Sequence, residues 1–461
     1  MKALSKAEID EFRAHFQGKI LFPEDDDYNE VRQIWNAMID RKPALIVRCT
    51  TTEDVVQAIQ FGREQHLLIS IRGGGHNIAG NAVCDDGLMI DLSLMKRVEV
   101  DLNTRRATVE PGCTLGDFDA AAQAHGLATP LGINSTTGVA GLTLGGGFGW
   151  LSRKYGMTID NLLSAEVVTA DGRLLHASES ENADLFWGLR GGGGNFGVVT
   201  RFEFQLHPVG PDVLSGLIVF PFDQARSVIS QFARFTQTMP EELNVWMVTR
   251  KAPPLPFLPE EAHGKEMVAL ALCYVGHAEM GEQLIAPLRE FGTAIGEHIG
   301  VMPYVAWQQA FDPLLAKGAR NYWKSHNFVQ ISEGVIDAIV DYAARLPSPH
   351  CEIFIGTIGG HTTQVAPEAM AYSSRDANYV MNVHGRWETA EEDERCVAWA
   401  REFFAKTQPF ASSGAYINFL TQEETDRIAF AYGATWDRLV EVKSKYDPMN
   451  LFRMNQNIKP V

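Results

Sequence analysis

Short apolar runs divided by polar, turn-forming stretches govern the reading of this chain. Residues 44–49 and 67–71 are apolar runs of strand length, and the stretch between them, beginning Glu53-Asp54-Val55-Val56, predicts a helix capped by Thr51 or Thr52. This makes a β-α-β unit whose second strand runs into a glycine turn at its carboxyl end, where ligands sit in such units. Between 88 and 113 the pattern changes to short strands around the Asn103-Thr104-Arg105 turn, followed by an amphipathic helix from Thr114 to about His125. Two further strands in 162–177 are joined by Asp171-Gly172, a hairpin signal. From about Pro208 the glycine density falls. Strand-like runs at 215–222, 244–250, 267–276, 351–360 and 379–387 then accompany a helix at about 224–237 and two more at roughly 389–406 and 422–443. The expectation is an α+β fold of two domains, the second an antiparallel sheet with helices on one side.

Three glycine-rich stretches interrupt this pattern. The first, Ile71 to Gly80, reads I-R-G-G-G-H-N-I-A-G; its glycines leave backbone N–H groups free to converge on an anion, with His76 at the rim. The order G-G-G-H is not the G-x-G-x-x-G of a nicotinamide-binding turn. The second, Gly132 to Gly149, holds seven glycines among small residues, yet Leu142, Leu144, Phe148 and Trp150 rule out a flexible linker. Its backbone is expected to approach something large and flat or phosphorylated. The third places four glycines at 191–194 before Asn195 and Gly197. Near the end, Asn455, Gln456 and Asn457 stand between Leu451, Phe452, Met454 and Ile458, which predicts a docked tail offering amides to a heterocycle.

Composition narrows the partners. A chain of 461 residues, 45% of them hydrophobic, can bury a large core, and its net charge of -17 argues against nucleic acid and anionic membrane surfaces. No apolar run approaches the roughly 18 residues of a spanning helix. The charged start, M-K-A-L-S-K-A-E-I-D-E, lacks a signal-peptide core, so a cytoplasmic location is expected. The six cysteines form no C-x-x-C pair and suggest buried thiols in a reducing compartment; no metal site is expected.

The R-G-G-G-H block, the G-x-x-G-L-x-L-G-G-G-x-G-W-L-x-x-K-Y-G block, L-R-G-G-G-G-N-F-G-V-V-T and the closing K-Y-D-P-x-N-x-F together resemble the berberine-bridge-enzyme-like FAD-linked oxidases of the vanillyl alcohol oxidase fold. The resemblance is strong in about the first 207 residues and the last 45. It implies a two-subdomain FAD-binding domain of the PCMH type at 1–207, a substrate domain at 208–410 and a C-terminal segment, 411–461, returning to the FAD domain. It also implies FAD as cofactor, with His76 joined to the 8α-methyl carbon of the isoalloxazine. Arg72, Gly73, Gly74 and Gly75 would hold the pyrophosphate, with Asn77 and Gly80 completing that turn. Thr136, Gly138, Gly141 and Asn161 would line the flavin, and Gly197, Val198, Val199 and Thr200 would approach the adenine side. Asn455 and Asn457 would add contacts from the tail. Many relatives carry a second, cysteinyl bond, and Asn134 occupies that position here, which implies attachment through His76 only. Thr137 lies where the family decides oxygen access; a valine-sized side chain there leaves room for oxygen.

Chemistry on a substrate needs a C–H aimed at the flavin and a base for the adjacent O–H or N–H proton. A neutral imidazole is nucleophilic, so His76 can attack an electrophilic flavin held against it. Tyr416 and Asn418 have the two-residue spacing that puts both on one face of a strand, and the family's Y-x-N motif implies Tyr416 as base and Asn418 as its positioning partner. In the strand 379–387, Asn382, His384 and Arg386 share a face opposite Tyr379, and His384 reads either as a polarising group or base, or as a solvated sheet residue. Trp246, Tyr322, Trp323, Phe354 and Trp387 suit a planar or sugar-like ligand, or a core. The function expected is an FAD-dependent oxidase taking hydride from an alcohol or amine carbon of a small molecule, with oxygen as acceptor. The alternatives are a dehydrogenase with another acceptor and a flavin-binding protein without turnover.

Overall fold

The apolar runs pair into three sheets and a two-stranded ribbon in the computed structural model, which describes residues 4–412 and 414–461. Strands β1 (Lys19–Leu21), β2 (Leu45–Arg48), β3 (Ile69–Arg72) and β4 (Leu88–Asp91) form the first sheet in the order β1-β2-β4-β3, with β2, β4 and β3 parallel. The crossover from β2 to β3 is helix Thr52–Glu64. Its cap is reciprocal: Thr51 accepts the Asp54 N–H at 3.2 Å while the Asp54 carboxylate accepts the Thr51 N–H at 3.2 Å. Val55, Ala58 and Ile59 of this helix are fully buried against Leu45, Val47 and Leu88, so the β-α-β unit is held by its apolar stripe.

The second sheet is antiparallel, with β5 (Val98–Asp101), β6 (Arg106–Val109), β8 (Leu162–Val168), β9 (Leu174–Ser178) and β10 (Val198–Gln205) in the order β5-β6-β10-β8-β9. A ribbon of β7 (Leu127–Ala128) and β11 (His207–Pro208) lies beside it. The β8–β9 turn is Asp171-Gly172, with Gly172 at φ +84° as a tight hairpin requires.

The third sheet has seven antiparallel strands: β12 (Asp212–Pro221), β13 (Leu243–Lys251), β14 (Glu266–Tyr274), β15 (Gly296–Pro303), β16 (Arg320–Phe328), β17 (Glu352–Thr357) and β18 (Tyr379–Trp387), ordered β15-β12-β14-β13-β17-β18-β16. Period-two alternation separates its faces. Met247, Ile353, Ile355, Met381 and Val383 pack under helices Ala225–Phe235, Glu333–Ala343 and Asp393–Thr407. Trp246, Phe354, Asn382 and His384 face the other way, toward the glycine-rich half.

Three local expectations are corrected. The stretch 422–443 is not one helix: Ile428–Tyr432 and Trp436–Tyr446 are separated by a 3-10 turn in which Gly433 sits at φ +53°. The second glycine block contains a short helix, Val139–Leu144. Tyr416 and Asn418 are not on a strand, because Ile417–Phe419 is a 3-10 turn. The tail is docked: the Lys443 ammonium, in a helix of the C-terminal segment, donates to the Asp447 carboxylate at 2.6 Å, the Phe452 carbonyl at 2.9 Å and the Asn195 carbonyl at 2.8 Å, all without solvent exposure. Asp447 in turn accepts the Leu451 and Phe452 N–H groups at 2.7 and 2.8 Å. All six cysteines are buried free thiols.

Candidate active site

A cavity of about 390 Å³ lies between the three glycine segments and the uncovered face of the seven-stranded sheet. On one wall, the first and second glycine segments meet backbone to backbone. A Cβ on Gly74 would stand 2.3 Å from the Gly138 nitrogen, so the two turns can close only without side chains. Gly141 and Gly194 behave differently: both line the cavity, and a Cβ on either would meet no protein atom within 4 Å. Space is kept clear there for a ligand rather than for packing. The third segment is held from below by the tail, with Asn455 Nδ2 on the Gly194 carbonyl at 3.1 Å, Asn195 Nδ2 on the Gln456 carbonyl at 3.1 Å and the Ile458 N–H on Asn195 Oδ1 at 3.0 Å.

His76 stands where these loops meet the sheet side. Its ring stacks on Trp35 with centroids 5.2 Å apart, and burial pushes its pKa down to about 3, so the imidazole is neutral at neutral pH. Its tautomer follows from proton accounting. Asn134 Oδ1 can only accept, and it takes both the Thr136 N–H at 3.0 Å and the Thr136 hydroxyl at 2.7 Å. With its one proton so committed, the hydroxyl must accept from His76 Nε2 at 3.0 Å. In that tautomer Nδ1 carries the lone pair.

Tyr416, 2% exposed, closes the junction of the two walls. Its hydroxyl oxygen accepts the Gly147 N–H at 3.1 Å and Asn418 Nδ2 at 3.1 Å, which leaves its own proton to point elsewhere. Burial raises its pKa to about 12, and the two donors pull against that rise by favouring the phenolate. On the sheet wall His384 is 3% exposed and not solvated. Asn321 has its amide direction set by Arg386 Nη1, which donates to Oδ1 at 3.1 Å, and by the Ala319 carbonyl, which accepts from Nδ2 at 2.7 Å. His384 Nε2 therefore donates to Asn321 Oδ1 at 3.0 Å, and Nδ1 faces Glu352 at 3.3 Å. Burial drives the His384 pKa down while Glu352 holds it up.

Most of the residues singled out in the sequence line this cavity: His76, Gly73 to Gly75, Asn77, Asn134, Thr137, Gly138, Gly141, Gly197 to Val199, Tyr416, Asn418, His384 and Asn455. Arg72 does not, since its guanidinium turns away to the Val31 carbonyl. Asn161 is spent elsewhere, donating to the Tyr155 and Met157 carbonyls and meeting His207 Nε2 at 2.6 Å. Gly80, Thr136, Thr200 and Asn457 lie behind the lining, Thr136 acting through His76. Of the aromatic candidates, Trp246, Trp323 and Phe354 reach the cavity, whereas Tyr322 and Trp387 pack in the core under the helices. Trp35, Arg250 and Glu352 also line it and carried no motif in the sequence.

Comparison with known proteins agrees with this geometry. Residues 43–178 match the FAD binding domain family, and residues 415–459 match the family described as berberine and berberine like. An FAD-linked oxidoreductase from Dictyostelium discoideum is 31% identical over 98% of this chain and 97% of its own length. (R)-6-hydroxynicotine oxidase from Paenarthrobacter nicotinovorans is 31% identical over 96% of this chain and 97% of its own. The crystal structure of 6-hydroxy-D-nicotine oxidase from Arthrobacter nicotinovorans superposes with a TM-score of 0.87 at 28% identity, covering 97% of this chain and 98% of that one. Xylooligosaccharide oxidase from Myceliophthora thermophila, in complex with xylobiose, gives 0.86 at 25% identity, covering 98% and 99%. Glycine turns that keep ligand space open, a docked amide-bearing tail and full-length relatives converge on one conclusion: this chain is an FAD-linked oxidoreductase and belongs to the berberine-bridge-enzyme-like family.

Proposed function

We propose that the protein is an oxidase that removes hydride from an alcohol or amine carbon of a small molecule and passes the electrons to oxygen. Bound FAD supplies the two-electron acceptor for that hydride and hands the electrons on. The observation that carries the reading is the Tyr416 hydroxyl, whose oxygen receives two hydrogen bonds inside the cavity wall. These donors orient Tyr416 and stabilise its phenolate, so that it can take the proton from the substrate O–H or N–H. Both ring nitrogens of His384 are engaged by Asn321 and Glu352, which favours Tyr416 as the base and His384 as a wall residue.

The Nδ1 lone pair of a neutral His76 supports a single covalent bond to the flavin at that nitrogen, with Asn134 and Thr136 fixing the tautomer. Asn134 offers no thiol for a second bond. Thr137, small and in the lining, supports oxygen as the acceptor. Oxidases among the relatives named for hydroxynicotine and xylooligosaccharide act on small molecules, which is the class we infer here.

The test is anaerobic mixing with a panel of alcohols, sugars and amines, followed by air. Bleaching of the yellow flavin and fast recolouring with hydrogen peroxide are expected; bleaching without reoxidation in air would make the protein a dehydrogenase. Acid-precipitated protein should give a yellow pellet, and His76→Ala a colourless one.

A further inference from the structure

The chain has a formal net charge of -17, yet the sheet wall of its cavity has the opposite sign. Arg250, Glu352, His384 and Trp323 form one row across four strands, because register pairs Arg250 with Glu352, Glu352 with His384, and His384 with Trp323. All four line the cavity, and Glu352 is the only carboxylate among the described residues that does so. That carboxylate is occupied: Oε2 accepts from Arg250 Nη1 at 2.9 Å and Oε1 faces His384 Nδ1 at 3.3 Å. Arg386 stands directly behind, on Asn321. Two guanidiniums against one carboxylate leave an uncompensated positive charge in a wall where both arginines are under 8% exposed. Charge in such a low-dielectric setting acts strongly on a ligand.

The same wall has donors to spare. Arg250 commits Nη1 to Glu352 and Nε to the Lys251 carbonyl at 3.4 Å, while Nη2 has no hydrogen-bond partner among the described residues. Asn382, two residues from His384 on the same face and 2% exposed, lines the cavity; its Nδ2 makes no hydrogen bond among the described residues, and its Oδ1 is buried without a donor. The free Nδ2 is a second donor, beside Arg250 Nη2, open to the acceptor oxygens of a bound ligand. Between and below these donors the lining is aromatic, from Trp246, Trp323 and Phe354.

We propose that this end of the cavity binds the carboxylate of an elongated, planar organic acid, held by Arg250 Nη2 and the Asn382 amide. Arg250 lies four residues along β13 from Trp246, ~13 Å at ~3.3 Å per residue. Trp246 meets Phe148 with centroids 5.8 Å apart, and the Phe148 ring lies 5.0 Å from that of Tyr416. The acid group is therefore anchored far from the carbon that faces Tyr416, and the aromatic residues between clasp a flat body. The reading of this acid as substrate, rather than as a bound ligand only, rests on the oxidase function proposed above.

The test is titration of the flavin-loaded enzyme with cinnamate and with cinnamamide, which share a planar skeleton, followed by the flavin visible spectrum and by calorimetry at pH 7 and low salt. Cinnamate is expected to bind at least tenfold more tightly. A charge-assisted hydrogen bond is worth roughly 10- to 100-fold, so Arg250→Gln should bring cinnamate to the level of cinnamamide, and Asn382→Leu should weaken it by a smaller factor. Because Arg250→Gln strips Glu352 of its cation, the double variant Arg250→Gln/Glu352→Gln keeps the row neutral and should show the same loss of preference in a folded, yellow protein. Equal binding of the two ligands to wild type, no binding of cinnamate, or an acid preference that survives in the double variant would overturn the proposal. The oxidase reading fails on a different observation, a flavin that no alcohol or amine bleaches, whichever way cinnamate behaves.

Discussion

The two walls of the cavity are built on opposite principles. The glycine-rich wall is made of backbone: Gly73 to Gly75, Gly138, Gly141, Gly193 and Gly194 expose peptide groups and keep side chains out. The sheet wall is made of side chains, with Trp246, Phe354, Trp323, Arg250, Glu352 and His384 projecting from four neighbouring strands. A backbone wall is generic, because every residue carries the same N–H and C=O, and it suits a cofactor common to a family. A side-chain wall can change residue by residue without disturbing the sheet, and it suits the substrate that distinguishes one member from another. Tyr416 joins them, taking one hydrogen bond from the backbone of Gly147 and another from the side chain of Asn418.

Breaking the backbone wall should have the largest effect. Gly74→Ala puts a methyl 2.3 Å from the Gly138 nitrogen, and since neither partner is a flexible side chain, the loops must part. We expect purified Gly74→Ala to lack flavin, read by absorbance. At the junction, Tyr416→Phe should retain its flavin but slow anaerobic flavin reduction by about 10²- to 10⁴-fold. A variant that reduces at the wild-type rate would remove Tyr416 from the chemistry. Behind the backbone wall, Lys443→Met leaves Asp447 buried without its cation and removes the ammonium that joins the Asn195 and Phe452 carbonyls, at a cost of about 3–5 kcal/mol in denaturant unfolding.

The smallest effect lies at the seam. Asp119, on helix Leu115–Gln123, is buried against helix Tyr304–Gln308; Gln308 Nε2 donates to its Oδ2 at 3.0 Å, and Oδ1 has no partner among the described residues. Burial raises its pKa to about 7 from 3.8. A carboxyl that is ionised when unfolded but neutral when folded makes the native state lose stability as pH rises from the unfolded value through the folded one. Asp119→Asn should therefore stabilise the protein, by a margin that grows from pH 4 to pH 7 and then levels off on the order of 2 kcal/mol once relaxation and water penetration are included. Equal melting temperatures of the two proteins at pH 8 would show that the seam does not hold a strained acid.

Legibility in the sequence followed the same division. The glycine turns, the β2-helix-β3 crossover and the docked tail could be read locally, since a run such as R-G-G-G-H restricts its own backbone whatever surrounds it. Tyr416 and Asn418 came together as expected but by another route. Their side chains meet across a 3-10 turn, and Gly145 packs so closely there that a Cβ would stand 2.1 Å from Asn418 Oδ1. Arg72 stands just outside the cavity lining, and its guanidinium finds its acceptor in the Val31 carbonyl, a contact between segments that residue type alone cannot foretell. Trp35 was missed altogether: it reaches His76 only because its backbone N–H donates to the Gly75 carbonyl at 3.0 Å and its indole to Leu315 at 2.8 Å.

By itself the amino-acid order determined where the chain must turn without side chains and which stretches become strands, and the resemblance of its glycine motifs implied FAD as the partner. Only the tertiary structure decided which polar groups share a wall. Arg250, Glu352 and His384 are separated by 102 and 32 positions and become neighbours through strand register alone. A backbone's preferences are set within a few residues, whereas a side chain's partner is chosen by how whole strands align. The ligand the protein recognises is written in that alignment.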